Sequence, residues 1–372
     1  MIMPEHAAEK FIRQPESIDK VEEHGRGIIH DTYLVKLKEK ADNFILQRIN
    51  IHVFKRPELI MHNLRLVCEH VHAPGKSVDP GIDSSWKMLH IIPTLDNRDF
   101  FIDSKGDFWR AFSFIGGAHP LEKIADLGNA REIGRALGIF HYLTSNLNPE
   151  LLHDTLPGFH DIEFYLSRYD QVLSPDISRE FTESERCCRQ FVEERRSWAP
   201  VLENGRKHNK LQMRIIHGDP KINNVMLDDR SGRAVSIIDL DTVKPGLVLY
   251  DIGDCLRSCC NIPGEEAEDF DAVRFDIGRC EALLSGYMGA AHDCLTAHDF
   301  DFLFDAIRLI PFELGIRFYT DYLEGNPYFK ISQPTQNLDR AMLQFRLVES
   351  IEQQEAQIKA VIEICRASYH EE

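Results

Sequence analysis

The chain's 372 residues are enough for one or two domains with a sizeable core, and its 43% hydrophobic and 28% charged residues are those of an ordinary globular protein. Lys and Arg number 43 against 60 Asp and Glu, a net charge of −17; this argues against nucleic acid as a partner, because polyphosphates are held by clustered cations. Nine cysteines without a C-x-x-C pair indicate neither a disulfide framework nor a zinc ribbon.

The first residues carry scattered charges and no apolar leader core, and no run of about 18 apolar residues follows anywhere. No membrane partner is expected, and the cytoplasm is the expected location. From about Lys20 to Phe114 the pattern is strand-like, with apolar runs at 28–37, 43–49, 86–95, 99–103 and 108–114 between turn-like stretches, which predicts an antiparallel sheet. One helix interrupts it, over Pro57 to Val71, where Leu59, Ile60, Leu64, Val67 and Val71 share a face behind a proline suited to a first turn. The character changes at Ile115-Gly116-Gly117. A long amphipathic pattern over Leu121–Leu147 opens a mostly helical half, with further helices expected around 271–288, 300–322 and 338–365. The expected fold is therefore α+β and bilobal, with a small sheet-plus-helix lobe over residues 1–116 and a larger helical lobe over 117–372.

Within the helical half lies a polar β island at residues 213–246. It holds His217-Gly218-Asp219-Pro220-Lys221-Ile222-Asn223-Asn224 and, after an apolar run, Asp239-Leu240-Asp241. Phosphoryl transfer asks little covalent chemistry of a protein. It needs a carboxylate to take the acceptor hydroxyl's proton and oxygen ligands that keep a divalent ion on the phosphates. Asp219 and Asn224 offer both from one turn, and Asp239 adds a carboxylate at the end of a buried strand. Oxygen donors alone suit Mg²⁺.

This segment resembles the catalytic and magnesium loops of the aminoglycoside phosphotransferase and choline kinase superfamily, relatives of protein kinases. More narrowly, the chain looks like the bacterial N-acetylhexosamine 1-kinases at Asp31-Thr32-Tyr33, residues 45–50, residues 238–246, Asp251-x-Gly253-Asp254 and Arg317-Phe318-x-Thr320-Asp321-Tyr322. The resemblance implies a protein-kinase-like fold, ATP and Mg²⁺ as cofactors, Asp219 as catalytic base, and Asn224 and Asp239 as metal ligands, with Asp241 a further candidate near the metal. It also implies phosphate-covering backbone at Gly25 and Gly27, a phosphate-binding cation at Arg48, and adenine contacts from the backbone of Ile115. Glu58 and Glu69 are both candidates for an ion-pair partner of Arg48. Acceptor contacts are implied at Asp31, Arg317 and Tyr328; from spacing alone, Arg317 and Asp321 also read as a helical surface pair.

The expected activity is an ATP- and Mg²⁺-dependent small-molecule kinase acting on a sugar hydroxyl, foremost the anomeric hydroxyl of an N-acetylhexosamine. The alternatives are an aminoglycoside, choline-like or homoserine-like acceptor, or a nucleotide-binding regulator without turnover. The oligomeric state is left open.

Overall fold

In the computed structural model, the structure describes residues 3–25, 29–38, 43–73, 86–173, 180–264, 267 and 269–370. The N-terminal part builds an antiparallel sheet from β1 (Ile18–Glu23), β2 (Asp31–Leu37), β3 (Phe44–Ile49), β4 (Ile91–Ile92), β5 (Phe101–Ile102) and β6 (Phe108–Ser113). Their order is β1-β2-β3-β6-β4, with β5 also paired to β6. The alternating side chains of β3 and β6 cover two different cores. Phe44 and Leu46 of β3 and Trp109 and Ala111 of β6 pack with Ala7, Ala8 and Phe11 from the short helix α1 (Pro4–Ala8) and the turn behind it. The other face packs Ile49, Phe108 and Phe112 on Ile60, Leu64 and Val67 of α2 (Pro57–Val71).

The helix α2 has the bounds its periodicity predicts. Two of the expected strands shrink to two residues each. In the first, Lys87 donates its N–H to the distant Val235 (2.7 Å) and Thr94 closes a local turn with Asp96 and Arg98, bonds that compete with the ladder.

After Ile115, strand β7 (Ala118–Pro120) joins a three-stranded sheet with β9 (Val225–Asp228) and β10 (Ala234–Ile237), while β8 (Arg214–Ile216) pairs with β11 (Lys244–Gly246). The predicted helix over 121–147 starts later, as α3 (Leu127–Thr144), because the Asp126 side chain accepts the Asn129 N–H and caps it. Next come α4 (Ile162–Val172), α5 (Glu183–Arg195), α6 (Val201–Lys207), α7 (Val248–Cys260), α8 (Ile277–Ala291), α9 (Ala297–Leu323), α10 (Gln336–Gln353) and α11 (Glu355–His370). Helices α3 and α8 meet at backbone distance: a Cβ on Gly134 would lie 1.9 Å from the Leu283 oxygen, and one on Gly286 2.0 Å from that of Arg131, so only glycine fits either position. Among the described residues no helix is long and apolar enough to cross a membrane. The chain thus has the antiparallel sheet and helical half of a kinase-like bilobal fold.

Candidate active site

The loop after β8 is held on all sides. The fully buried Asp251 of α7 accepts the N–H groups of His217 (2.6 Å) and Gly218 (2.8 Å), and the His141 ring donates to the same carboxylate at 2.9 Å. Burial works against this anion, yet His141 and the backbone donors hold its carboxyl below the usual range. Gly218 has φ +87°, and a Cβ there would lie 2.7 Å from the Thr242 oxygen, so glycine is required twice over. The His217 Nδ1 accepts the Asp219 N–H (3.3 Å), which puts its ring proton on Nε2, donated to the Ile238 carbonyl at 3.0 Å. His217 therefore ties the Asp219 loop to the strand end that carries Asp239, a structural duty.

Asp219, Asn224 and Asp239 are brought together. The Asn224 Nδ2 donates to the Asp219 carbonyl (2.8 Å), and the Ile238 N–H to the Asn224 carbonyl (2.8 Å). Lys221 donates to the Asp219 Oδ2 at 2.5 Å and is electrostatically coupled to Asp239 as well. Burial, together with Asp254 and Asp239, raises the Asp219 carboxyl above the usual carboxylate range, although Lys221 pulls the other way. The side chain keeps 27% of its surface exposed, so it stays reachable from the cleft. Asp239 adopts a left-handed backbone, φ 65° and ψ 56°, a strained conformation for a residue other than glycine.

The donor set suits a divalent ion. With Nδ2 spent, the Asn224 Oδ1 has no hydrogen bond among the described residues, and the exposed Asp239 carboxylate has none either. No group of three or more His, Cys, Asp or Glu could hold a metal among the described residues.

Asp241, expected near the metal, is instead a buried strut. It lies 2.7 Å from both terminal nitrogens of Arg110 on β6 and accepts from His30 at 2.6 Å, while its carbonyl accepts the Thr155 hydroxyl at 2.8 Å. His30 Nδ1 accepts the Asn50 N–H at 3.0 Å, so the ring proton is on Nε2, facing Asp241. Burial opposes this charge, but Arg110 and His30 hold the Asp241 carboxyl far below the usual range.

The sheet's alternation puts Gln47 and Arg48 on opposite faces. Gln47 is the β3 residue that meets Arg110 (2.8 Å), and through it Asp241. Its neighbour Arg48 points to the opposite face, over the Trp109 ring at 5.8 Å, and is paired with Asp31, its cross-strand partner, and with Asp107 at 3.4 Å. Arg48 and Asp31, expected at the phosphate and acceptor, therefore pair with one another on the face that carries Trp109. Neither carboxylate proposed as a partner for Arg48 reaches it: Glu58 pairs with Arg56 and Glu69 with Arg65. A fully buried α2 side chain that meets the C-terminal lobe is Asn63, which donates to the carbonyls of His153 (2.8 Å) and Val243 (2.9 Å).

On the nucleotide side, Ile115 packs with Met226 and Val235 in a small apolar cluster, and its backbone makes no hydrogen bond among the described residues. Gly25 has φ +74° at the β1–β2 turn, and the neighbouring His24 ring sits edge-on to Phe114 at 6.0 Å. Gly27 lies outside the described residues.

Arg317 and Tyr328 share a pocket of about 200 Å³ with Leu156, Tyr165, Thr320 and Asp321, among others. The Arg317 guanidinium is ringed by Phe159, Tyr165 and Phe329 at 5.0 to 5.7 Å, and it has no carboxylate hydrogen-bonded to it among the described residues. The helical pair with Asp321 does not form. Both Asp321 oxygens are taken by the N–H groups of Tyr328 (2.9 Å) and Phe329 (3.1 Å) and by Asn337 (2.9 Å). The pocket borders the catalytic loop through residues 159–160, because His160 reaches the Gly218 carbonyl at 3.1 Å.

A family model described as the phosphotransferase enzyme family matches residues 20–283. The chain belongs to that family. Transfer of a phosphoryl group to a small molecule is the reaction class this membership assigns. Solved structures agree on the fold. An aminoglycoside phosphotransferase from Alicyclobacillus acidocaldarius superposes with a TM-score of 0.63 at 13% identity, over 99% of this chain and 97% of its own. A choline kinase from Cryptosporidium parvum gives 0.58 at 13%, covering 98% of each chain. An ethanolamine kinase from Plasmodium vivax gives 0.56 at 13%, over 90% of this phosphotransferase and 85% of that chain.

Proposed function

We propose that this phosphotransferase moves the γ-phosphoryl group of ATP, with Mg²⁺, to a hydroxyl of a neutral sugar, foremost the anomeric hydroxyl of an N-acetylhexosamine. The observation that carries the acceptor class is Arg317, a guanidinium ringed by three aromatic faces in a pocket whose single lining carboxylate, Asp321, is already fully engaged. A polycationic aminoglycoside or a quaternary amine asks for unspent carboxylates or a cation-free aromatic cage. A sugar with an acyl carbonyl instead offers an acceptor oxygen to the guanidinium and an apolar face to Tyr328 and Phe329.

In this reading, Asp219 accepts the acceptor's proton on its carboxylate while Lys221 keeps one oxygen oriented. Asn224 Oδ1 and Asp239 would hold the magnesium ion, which when bound supplies positive charge to the phosphate oxygens. The free backbone groups of Ile115 suit an adenine edge, and the turn at Gly25 lets main-chain N–H groups approach phosphate. The intact Asp219, Asn224 and Asp239 also speak against a regulator without turnover. A panel of N-acetylhexosamines, plain hexoses, choline, ethanolamine, homoserine and kanamycin, assayed with ATP for ADP release and product NMR, tests the proposal. Phosphorylation at C1 of an N-acetylhexosamine is the expected result, and turnover confined to the cationic acceptors would refute it.

A further inference from the structure

The peptide before Asp219 is gripped from a second side, by His160. His160, in the segment leading into α4, is buried and has a left-handed backbone with φ +62°, strain that persists only where its surroundings impose it. Its ring stacks on Tyr250 at 5.2 Å and 10°. One ring nitrogen, Nε2, faces the Gly218 carbonyl at 3.1 Å, and the other, Nδ1, faces Oε1 of the buried Glu313 at 3.2 Å. A carbonyl can only accept, so Nε2 must carry a proton. Nδ1 then meets a carboxylate, and that contact too needs a proton between the two atoms. The second Glu313 oxygen, Oε2, is buried with no hydrogen bond, so Glu313 spends its one hydrogen bond on His160.

We propose that His160 is a positioning residue. Its doubly protonated ring, held by Glu313, clamps the Gly218 carbonyl and so fixes the peptide from which the Asp219 carboxylate projects. Asp251 already holds the Gly218 N–H, so the two contacts fasten both ends of that residue, and the loop can neither rotate nor slide. Burial disfavours the charged ring, but Glu313, Asp254 and the Gly218 carbonyl together raise its pKa.

The groups around it act in both directions. From α9 come Glu313, which favours the charge, and Arg317, one turn further on, which opposes it. From α7 come Asp254, which favours it, and the neutral Tyr250. From β11, Lys244 donates to the neighbouring Phe159 carbonyl at 2.8 Å and opposes it, while Asp219 lies beyond Gly218 in the loop. The net sign is set by Glu313, the only one of these anions in direct contact.

At high pH the shared proton leaves, the Nδ1 lone pair faces the Glu313 carboxylate, and the clamp loosens. Turnover should therefore fall on the alkaline side with KM nearly unchanged. Glu313→Gln removes the charge that retains the proton while keeping a polar partner, so its alkaline limb in kcat should lie at least ~1 pH unit below that of the wild type. His160→Leu should lower kcat by about 10²-fold, the scale of a misplaced catalytic group, with the KM values for ATP and acceptor held within ~3-fold.

Identical pH profiles for wild type and Glu313→Gln would overturn the proposal. Should the variants not fold, ¹⁵N-histidine spectra of the unmodified protein decide it: both His160 ring nitrogens protonated at neutral pH is the expected result, and a neutral ring overturns it. The inference rests on Asp219 being the base. Full turnover in Asp219→Asn would sink that assignment, whereas the spectroscopic result bears on His160 alone.

Discussion

Arg110 and Asp241 form a buried ion pair at 2.7 Å that joins strand β6 of the small lobe to the segment just past Asp239. His30 completes the cluster from the turn before β2. A buried charge cluster thus adds to the apolar core that the two lobes share, which makes their relative placement sensitive to either partner.

Removing one member of such a pair leaves an uncompensated buried charge, at a cost of about 3–5 kcal/mol. Asp241→Asn should therefore destabilise the protein by about 3 kcal/mol or more near neutral pH. Because the folded carboxyl titrates far below its unfolded value, its contribution is fully present above the unfolded pKa of about 3.9 and fades only as pH falls below that. Urea unfolding of wild type and variant should give a constant stability gap from about pH 7 to 5 and a shrinking one below about pH 4. A gap that shrinks already around neutrality would contradict the depressed titration.

Asp219 tests the chemistry directly. Asp219→Asn keeps the volume and the polar contact to Lys221 but cannot take a proton, so kcat should drop by at least ~10²-fold. The KM for ATP should stay close to that of the wild type, because no nucleotide contact is removed. Steady-state ADP release against each substrate separates the two effects, and unchanged turnover would reject Asp219 as base.

Asp239 separates stability from function. Asn tolerates the left-handed backbone nearly as well as Asp, so Asp239→Asn should shift stability by no more than about 0.5 kcal/mol. Turnover should nevertheless collapse, because a neutral amide is a far poorer ligand for a divalent ion. Asp239→Ala should be inactive too, and less stable by about 1 kcal/mol, because alanine adopts φ near 65° only with strain. Urea midpoints and activity measured on the same preparations check both halves.

The parts of the site that could be read from the chain are those held by local order. His217 through Asn224 lie in one short loop, and Asp239 follows an apolar run, so residue type and spacing sufficed to predict that they come together. Arg48 shows where such reading fails. A strand's period of two fixes which side chains share a face, but not which face meets the cleft. That depends on the five-residue α1 and Phe11 covering the side shared by Leu46 and Trp109. Without that cover the sequence cannot tell that Gln47 rather than Arg48 faces Arg110 and Asp241, or that Arg48 pairs with Asp31. Asn63 stayed hidden for a related reason, since an asparagine on an amphipathic helix looks like a solvated position until its carbonyl partners arrive from residues 153 and 243. His160 and Glu313 are 153 positions apart, and no periodicity links them.

Arg317 offers the sharpest test of the acceptor pocket. A guanidinium with no hydrogen-bonded carboxylate, stacked among three rings, has its donors available to a ligand, and a charge-assisted hydrogen bond to a buried partner is worth about 1.5–3 kcal/mol. Arg317→Met preserves much of the apolar contact with Phe159 and Phe329 and deletes every donor. The acceptor KM should rise by about 10- to 100-fold, the equivalent of that energy, while the KM for ATP should hold. Arg317→Lys should recover only part of the loss, because an ammonium cannot present two parallel donors or lie flat between aromatic faces. Asp321→Asn should act on the same parameter more weakly: it keeps one acceptor oxygen for the N–H groups of Tyr328 and Phe329 but loses the other, so the Tyr328 wall loosens while Arg317 keeps its donors. An acceptor KM unmoved by Arg317→Met would mean that the acceptor binds elsewhere, and the preference for neutral sugars would lose its physical basis.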